Sequence, residues 1–204
     1  LYSDGTYLYG TTFYGGHSDK GTVFKIKPDG TSFDTLVSLI ASKGTLPVST
    51  LSTDGTYLYG TTTTGGPANV GGIFKVKFDG TGYDSVMTFN PATGDAPNGA
   101  LLIIGNVMYG TTSIDGPGAY GTVFKVLTDG TGFTNLVSFD GTNGGGKTPY
   151  GSLIMSNNTL YGTTHDGGGP GGLVFQVQPD GNNFLRLYVC NFAQGAFPYG
   201  TPYC

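Results

Sequence analysis

The sequence contains no tryptophan and no glutamate, and only 11% of its 204 residues are charged. Soluble domains usually carry about 25% charged residues, so polarity comes here from Gly, Thr, Ser and Asn instead. All 13 acidic residues are aspartates, and most lie next to glycine or in turn-like clusters. Aspartate favours turns, whereas glutamate favours helices. These absences predict a strand-and-turn protein that works outside the cell.

Long apolar runs and basic clusters are also missing. No stretch approaches the roughly 18 apolar residues that cross a bilayer, so we expect no membrane insertion. Nine basic residues without a basic run leave a net charge of -4, which disfavours nucleic acid as a partner. The chain starts at Leu1 without a signal peptide, and we interpret it as a mature or trimmed form.

What the chain does contain is one unit repeated four times. Tyr-Gly-Thr-Thr recurs at spacings of 50, 50 and 52 residues. An apolar-Phe step, an Asp-Gly turn, a further aromatic residue and a proline follow each time in the same order. The tyrosines are Tyr9, Tyr59, Tyr109 and Tyr161, the phenylalanines are Phe24, Phe74, Phe124 and Phe175, and the turn aspartates are Asp29, Asp79, Asp129 and Asp180.

Each unit has the pattern of four short antiparallel strands. In the third copy these strands fall near residues 100–104, 107–112, 122–127 and 133–139. Gly105-Asn106 joins the first two strands and is a two-residue hairpin signal. No helical periodicity persists anywhere, because Gly or Pro interrupts every window. Four antiparallel strands per unit of about 50 residues predict a blade of a β-propeller.

The two ends of the chain match each other in this repeat. Residues 1–5 align with residues 51–55, so the chain enters partway through a first strand. Residues 198–201 align with residues 149–152, which open a unit. The sequence therefore predicts an all-β, four-bladed β-propeller forming a single domain over residues 1–204. Its first blade would be completed by the C-terminal strand, either from the same chain or from a neighbour in a polymer.

The strings Leu-Tyr-Gly-Thr-Thr, Gly-Thr-Val-Phe-Lys, Asp-Gly-Thr-Gly-Phe and Leu-Val-Ser-Phe resemble the GloVer tandem repeat. The resemblance covers nearly the whole chain and is matched four times. It implies an exported, surface-associated bacterial protein of β-propeller-like fold, and it brings no catalytic residues to transfer. Residues from about 188 to 204 lose the consensus and show no anchor-like segment, which argues against cell-wall attachment through them.

The two cysteines, Cys190 and Cys204, both lie in the last 15 residues. Cys190 falls at the end of a fourth strand, and Cys204 falls at the end of the tail. In an oxidising compartment we predict a disulfide between them that fastens the tail, and two unpaired thiols are the alternative.

Residues capable of acid–base chemistry near neutral pH are few. His17 and His165 lie in the Gly-rich loops of the first and fourth units, and with Asp19 and Asp166 they could form a metal site or an oriented base. They occupy different repeat positions, so exposed loop histidines are the better interpretation. The chain has neither the spacing of an EF-hand nor a Gly-x-Ser-x-Gly elbow. We predict no catalytic residues, no metal and no cofactor.

Several surface residues allow binding roles, each with a plainer alternative. Asn157 opens an N-glycosylation sequon in a hairpin turn. The loop tyrosines could stack on sugars or simply pack in their loops. The lysines that recur at one repeat position could form a basic ring, or their stems could cover apolar surface while their heads reach solvent. The tyrosines are Tyr14, Tyr120 and Tyr150, and the recurring position holds Lys25, Lys75, Lys125 and Gln176.

The leading hypothesis from sequence is an extracellular or cell-surface structural or interaction module without catalytic activity. Its partners would be surface proteins, glycans or further copies of itself in a homopolymer, formed by exchange of the terminal strand. A carbohydrate-binding propeller is one alternative. A glycosidase or lyase that uses two converging aspartates is another.

Overall fold

The computed structural model describes residues 1–142, 145–193, 195–200 and 202. Within these ranges the chain consists of β-strands, turns and one 3-10 turn at Ala41–Lys43, with no α-helix. Consequently, the described part holds no helix capable of crossing a membrane. The all-β prediction is confirmed.

Each repeat forms one antiparallel sheet, and we number the sheets 1 to 4 along the chain. Sheet 1 contains Tyr2–Ser3 (β1), Leu8–Thr12 (β2), Thr22–Ile26 (β3) and Asp34–Ser38 (β4). Sheet 2 contains Thr45–Pro47 (β5), Ser52–Thr53 (β6), Tyr57–Thr64 (β7), Gly72–Lys77 (β8) and Asp84–Thr88 (β9). Sheet 3 contains Leu102–Ile104 (β10), Val107–Thr112 (β11), Thr122–Leu127 (β12) and Thr134–Ser138 (β13). Sheet 4 contains Ile154–Ser156 (β15), Thr159–Thr164 (β16), Leu173–Val177 (β18) and Leu185–Val189 (β19). A small two-stranded sheet pairs Gly146–Lys147 (β14) with Asp166–Gly167 (β17).

The strands pair as consecutive hairpins. In sheet 3 the order is β10-β11-β12-β13, and Ile104 pairs with Val107 around the Gly105-Asn106 turn. The Asp-Gly turns behave as the sequence predicts. In the first one, the Asp29 carboxylate accepts hydrogen bonds from the backbone N–H and the hydroxyl of Thr31, at 2.9 and 2.7 Å. Asp79, Asp129 and Asp180 make equivalent bonds to the residue two positions later.

The last three residues of the Tyr-Gly-Thr-Thr motif each have a physical role, which β11 illustrates. A Cβ on Gly110 would lie 2.6 Å from Cζ of Phe124, so only hydrogen fits beneath that ring. The Thr111 hydroxyl donates to a backbone carbonyl in the segment that leads to the next sheet, at 3.2 Å. The Thr112 and Thr122 hydroxyls are hydrogen-bonded to each other at 2.8 Å. The motif therefore joins one strand to its partner strand and to the following sheet.

Among the described residues, three hydrophobic cores lie between consecutive sheets, and they are built largely from equivalent repeat positions. We call the side of a sheet that contacts the preceding sheet its leading face, and the opposite side its trailing face. Between sheets 1 and 2, the leading face supplies Leu51, Leu58, Phe74 and Val76, and the trailing face supplies Tyr9, Val23 and Leu39. Equivalent residues form the cores between sheets 2 and 3 and between sheets 3 and 4.

The segments that connect the sheets converge on one place. Residues 48–50, 98–100, 150–152 and 199–200 line a common cavity of about 240 Å³. Equivalent segments from the four repeats thus converge on one cavity, an arrangement typical of β-propeller-like folds.

The tail is arranged differently from the sequence-based expectation. Sheet 1 has its own first strand, in which Tyr2 pairs with Tyr9. The described tail lies against sheet 4, because the Thr163 hydroxyl donates to the Gly200 carbonyl at 3.2 Å and the Phe197 N–H donates to the Gly171 carbonyl at 2.7 Å. The prediction that the tail supplies the first strand of the first blade is therefore not confirmed.

Candidate functional site

The leading face of sheet 1 is exposed, although its residues match those buried in the other sheets. Leu8, Phe24 and Ile26 are only half-buried, whereas their equivalents in sheets 2, 3 and 4 are fully buried. Leu1 is 69% exposed, and Phe33, which stacks on Phe24 with ring centroids 5.4 Å apart, is 59% exposed. The buried equivalents are Leu58, Met108 and Leu160; Phe74, Phe124 and Phe175; Val76, Val126 and Val177; and Leu51, Leu101 and Leu153.

The Asp-Gly turn of sheet 1 is uncovered in the same way. In sheets 2 and 4, a Cβ on Gly80 or Gly181 would lie 2.7 or 3.0 Å from a backbone carbonyl in the last strand of the preceding sheet. A Cβ on Gly130 would come still closer to the Val86 carbonyl. Around Gly30 there is nothing within 4 Å. The backbone contact that repeats between sheets is thus absent at Gly30.

The trailing face of sheet 4 shows the complementary exposure. Tyr161 and Val174 are half-buried, whereas the equivalent residues of the other three sheets are buried. Leu187 is 48% exposed, whereas its equivalents Leu36 and Val86 are half-buried and Leu136 is buried against sheet 4. Cys190 occupies the position of Phe139 and is buried.

These two apolar faces are the most distinctive feature of the molecular surface, and sequence reasoning missed them. The signal was present, because alternation in the third strand places Phe24 and Ile26 on one side and Val23 on the other. The sequence could not show that sheet 1 lacks a covering sheet, because that depends on where sheet 4 lies. Exposed apolar patches of this kind mark interaction surfaces.

His165 lies in an aromatic cluster where the tail meets sheet 4. Its Nδ1 is 2.6 Å from Oδ2 of Asp166. Its ring contacts those of Tyr199, Phe197 and Tyr150, with centroids 4.3, 5.0 and 5.7 Å away. The side chain is 17% exposed, so the expectation of an exposed loop histidine is wrong at this position. The tail residues that cover it are distant in sequence, and the local pattern could not reveal them.

His17 and Asp19 are not brought into this cluster. His17 is exposed in the loop of sheet 1, and its backbone N–H donates to Ser38 Oγ at 3.2 Å. Asp19 accepts a hydrogen bond from the Gly15 N–H at 2.7 Å within the same loop. In the ranges that the structure describes, no three His, Cys or Asp side chains are grouped as metal ligands.

A loop cavity of about 620 Å³ lies beside Asp166. Pairing of β14 with β17 places Lys147 opposite Asp166, and the Thr148 hydroxyl donates to Asp166 at 3.4 Å. The Lys147 Nζ lies 4.3 Å from the ring centroid of Tyr120. The cavity therefore offers an ammonium group, a carboxylate and an aromatic rim, and it also has glycine backbone at residues 141 and 167–169. Such a set can hydrogen-bond a polar, hydroxyl-rich ligand.

The three candidate tyrosines lie in different environments. Tyr14 is exposed and forms an edge-to-face pair with Phe13, with centroids 4.7 Å apart. Tyr120 lies at the rim of the loop cavity, whereas Tyr150 packs on Tyr199 at 5.3 Å. They do not form a common surface for stacking on a sugar.

The recurring lysines contact rings and turns rather than only reaching solvent. Lys25 and Lys75 place Nζ over the rings of Tyr7 and Tyr57, at 5.3 and 5.1 Å. The Lys125 Nζ donates to the Pro179 carbonyl in the Asp-Gly turn of sheet 4, at 3.2 Å. At this repeat position Lys25 and Lys75 therefore pack on their own sheets, whereas Lys125 connects sheet 3 to the turn of sheet 4.

Asp4 in sheet 1 and Asp54 in sheet 2 accept hydrogen bonds from backbone N–H groups of their own hairpin turn. Asp54 accepts hydrogen bonds from the N–H groups of Thr56 and Tyr57 and from the Tyr59 hydroxyl, all at 2.8 Å. Burial pushes the pKa of Asp54 up, but these three donors outweigh it, and the pKa is lower than usual. The N–H of Tyr7 is the main cause of the lowered pKa of Asp4 in sheet 1. Burial and the neighbouring carboxylate raise the pKa of Tyr59.

The predicted modification sites have mixed outcomes. Asn157 is exposed, and with Asn158 it forms a two-residue hairpin turn in which both residues have positive φ, 47° and 56°. Exposure is compatible with glycosylation, which stays a prediction. Cys190 is buried and has a free thiol in the described part of the chain. Cys204 lies outside the described residues, so the disulfide between them also stays a prediction.

Comparison with known proteins places the chain in a repeat family. The family model of the Gloeobacter/Verrucomicrobia repeat matches residues 1–144. This match confirms the resemblance seen in the repeated motifs. No curated protein matches the chain in sequence.

Solved structures show the same kind of fold at low sequence identity. A chain of the nidogen/laminin complex superposes with a TM-score of 0.63 and 15% identity, over 95% of this chain and 64% of that one. A TolB-type protein from Agrobacterium tumefaciens gives 0.60 and 16%, over 91% and 62%. An oligogalacturonate lyase in complex with manganese gives 0.60 and 12%, over 91% and 50%. The chain thus spans less than two thirds of each, and the likeness establishes a β-propeller-like fold alone.

Proposed function

The chain belongs to the Gloeobacter/Verrucomicrobia repeat family, and from this premise we propose that it is an extracellular, non-catalytic structural or interaction module. The observation that carries the proposal is the pair of exposed apolar faces, the leading face of sheet 1 and the trailing face of sheet 4. A monomer gains nothing from leaving Leu1, Phe33 and Leu187 in water, since burial of such side chains stabilises a protein by about 1.5–3 kcal/mol each. A binding partner that covers these faces accounts for their composition.

The faces are better placed for assembly than the tail is. Exchange of the tail between subunits would break the contacts that Phe197, Tyr199 and Gly200 make with sheet 4 of their own chain. The predicted four-bladed ring, closed on itself, is a second arrangement. It would bring the same two faces together within one chain.

Oxidative footprinting with hydroxyl radicals tests the proposal. The chain is labelled on intact producing cells and, separately, as dilute purified protein. We expect Phe33 and Leu187 to react in the dilute protein and to be protected on the cells, while the exposed Tyr14 in a loop reacts in both. Equal labelling of Phe33 and Leu187 in both samples would refute an interaction through these faces. Labelling of Tyr14 only after lysis would refute the extracellular location.

Carbohydrate binding is a second candidate, supported by the loop cavity beside Asp166. Its ammonium group, carboxylate and aromatic rim are suited to sugar hydroxyls and a ring face. A glycan array probed with the wild-type chain and with Asp166→Ala tests it, with Asp19→Ala as a matched loop control. Binding that Asp166→Ala abolishes and Asp19→Ala preserves would support this function, and an array without any signal would exclude it for the glycans tested.

A glycosidase or lyase is the third candidate. Glycoside cleavage ordinarily uses two carboxyl groups. Asp166 is the carboxylate that the described lining of the cavity supplies. Turnover of an oligosaccharide that is lost in Asp166→Ala would establish this candidate.

A further inference from the structure

We propose that the leading face of sheet 1 docks on the trailing face of sheet 4 of a second copy of this chain, in a head-to-tail contact. The inference rests on the proposed interaction function and names its partner. The contact would be a fourth instance of the interface that already joins sheets 1 to 2, 2 to 3 and 3 to 4. It differs from exchange of the tail strand, because whole sheet faces meet and each tail stays on its own chain.

The apolar residues of the two exposed faces match the buried interfaces position by position. On the leading face, Leu8, Phe24 and Ile26 correspond to Leu58, Phe74 and Val76 of the first core. On the trailing face, Tyr161, Val174 and Leu187 correspond to Tyr9, Val23 and Leu36 of the same core. One molecule therefore carries both halves of an interface whose packing its own fold demonstrates three times.

Backbone shape also matches. Turn glycines 80, 130 and 181 each pack against a carbonyl of the preceding sheet, at residues 36, 86 and 136. Leu187 occupies the same repeat position on sheet 4 as residues 36, 86 and 136 on the earlier sheets. Gly30 is the turn glycine with nothing within 4 Å of it. Docking would seat the Gly30 turn on the backbone at Leu187 of the second copy.

At the interface of sheets 3 and 4, the Asp-Gly turn also makes a polar contact with the preceding sheet. The Lys125 Nζ donates to the Pro179 carbonyl across the interface of sheets 3 and 4. Gln176 occupies the lysine position on sheet 4, and Pro28 occupies the Pro179 position in the turn of sheet 1. The side-chain amide of Gln176 retains a donor for the Pro28 carbonyl of the second copy.

The positions of the two faces also constrain the type of assembly. Because the two halves of the contact lie on different surfaces, the contact is heterologous. Such contacts form rings when the rotation closes and filaments when it does not.

Two charge variants that each disable one half of the contact test the proposal. Phe24→Asp blocks the leading face, and Leu187→Asp blocks the trailing face. By size-exclusion chromatography with light scattering, we expect the wild-type chain to form concentration-dependent oligomers and each variant alone to be a monomer. An equimolar mixture should form dimers and nothing larger, because one intact leading face and one intact trailing face remain.

Controls separate loss of contact from loss of fold. Circular dichroism and thermal melting report whether each variant is folded, and Phe33→Asp gives a second leading-face variant at a position already 59% exposed. Lys77→Asp on the exposed surface of sheet 2 is expected to oligomerise like the wild type. A wild-type chain that stays monomeric at high concentration, or a mixture without dimers, overturns the inference. If footprinting on cells still shows both faces protected, the interaction function stands and its partner is another molecule.

Discussion

The interior interfaces of this molecule and its two terminal faces use the same residues in different environments. Phe124 is fully buried between sheets 2 and 3, whereas Phe24, at the same repeat position, is only half-buried. Gly130 packs against a neighbouring carbonyl, and Gly30 faces open space. The comparison teaches that the repeat encodes an interface rather than a sheet alone. Each unit is stable to the extent that another unit covers it, as expected for repeat architectures.

The largest expected effect comes from removing the same phenylalanine ring in the two environments. Phe124→Ala should lower the free energy of unfolding by about 3–5 kcal/mol, because it leaves a cavity between two sheets. Phe24→Ala should cost less than about 2 kcal/mol in dilute solution, since half of its burial is missing. Urea unfolding followed by circular dichroism measures both, as the chain has no tryptophan to report by fluorescence. Equal losses for the two variants would show that sheet 1 is covered in solution.

A turn glycine gives a finer version of the same comparison. Gly30 and Gly130 have nearly the same φ, 83° and 88°, so alanine adds a similar left-handed strain of about 1 kcal/mol at each. Gly130→Ala should cost roughly 1–3 kcal/mol more, because its Cβ would strike the Val86 carbonyl. The difference between the two melting curves isolates the inter-sheet contact. The difference in stability between the two variants should decrease at high protein concentration if a second copy covers Gly30.

The repeat made most of the fold predictable. Strand positions in the third copy agree with the structure to within two residues, because alternation and two hairpin signals defined them locally. The Asp-Gly turns also follow from local chemistry. The path of the tail did not, since its contacts with Thr163 and Gly171 depend on tertiary packing that a motif alignment does not contain.

The candidate sites were less predictable for the same reason. The sequence favoured an exposed loop position for His165, but rings from the tail bury it beside Asp166. The exposure of the two apolar faces was not predicted, because in a closed four-bladed ring sheets 1 and 4 would cover each other. Exposure of a face depends on the angle between sheets, and the sequence has no local marker for that angle.

The smallest expected effect comes from changing a turn aspartate. It tests whether hydrogen bonds in a turn contribute less to the free energy of unfolding than the packing of the sheet faces does. Asp54→Asn keeps the shape but weakens three charge-assisted hydrogen bonds, and we expect a loss of about 1 kcal/mol at pH 7. The pKa values of Asp4 and Asp54 are lowered by folding, so their contribution is complete above the ordinary pKa of 3.8 and is lost as the pH falls through the lower folded value. Below that value the variant and the wild type should unfold at the same urea concentration. A variant that is equally destabilised at acid pH would show that packing, not charge, is responsible.

The measurement that most directly tests the terminal faces is a cysteine cross-link between two copies. The Lys125 Nζ lies 3.2 Å from the Pro179 carbonyl across the interface of sheets 3 and 4, so a short bismaleimide should bridge the internal pair Lys125→Cys with Pro179→Cys within one chain, which serves as the control. One sample carrying Gln176→Cys is then mixed with another carrying Pro28→Cys and treated with the same reagent. We predict a covalent dimer of one chain of each kind, with the linkage between residues 28 and 176 identified by mass spectrometry. No dimer, under conditions where the internal pair bridges completely, would contradict the account.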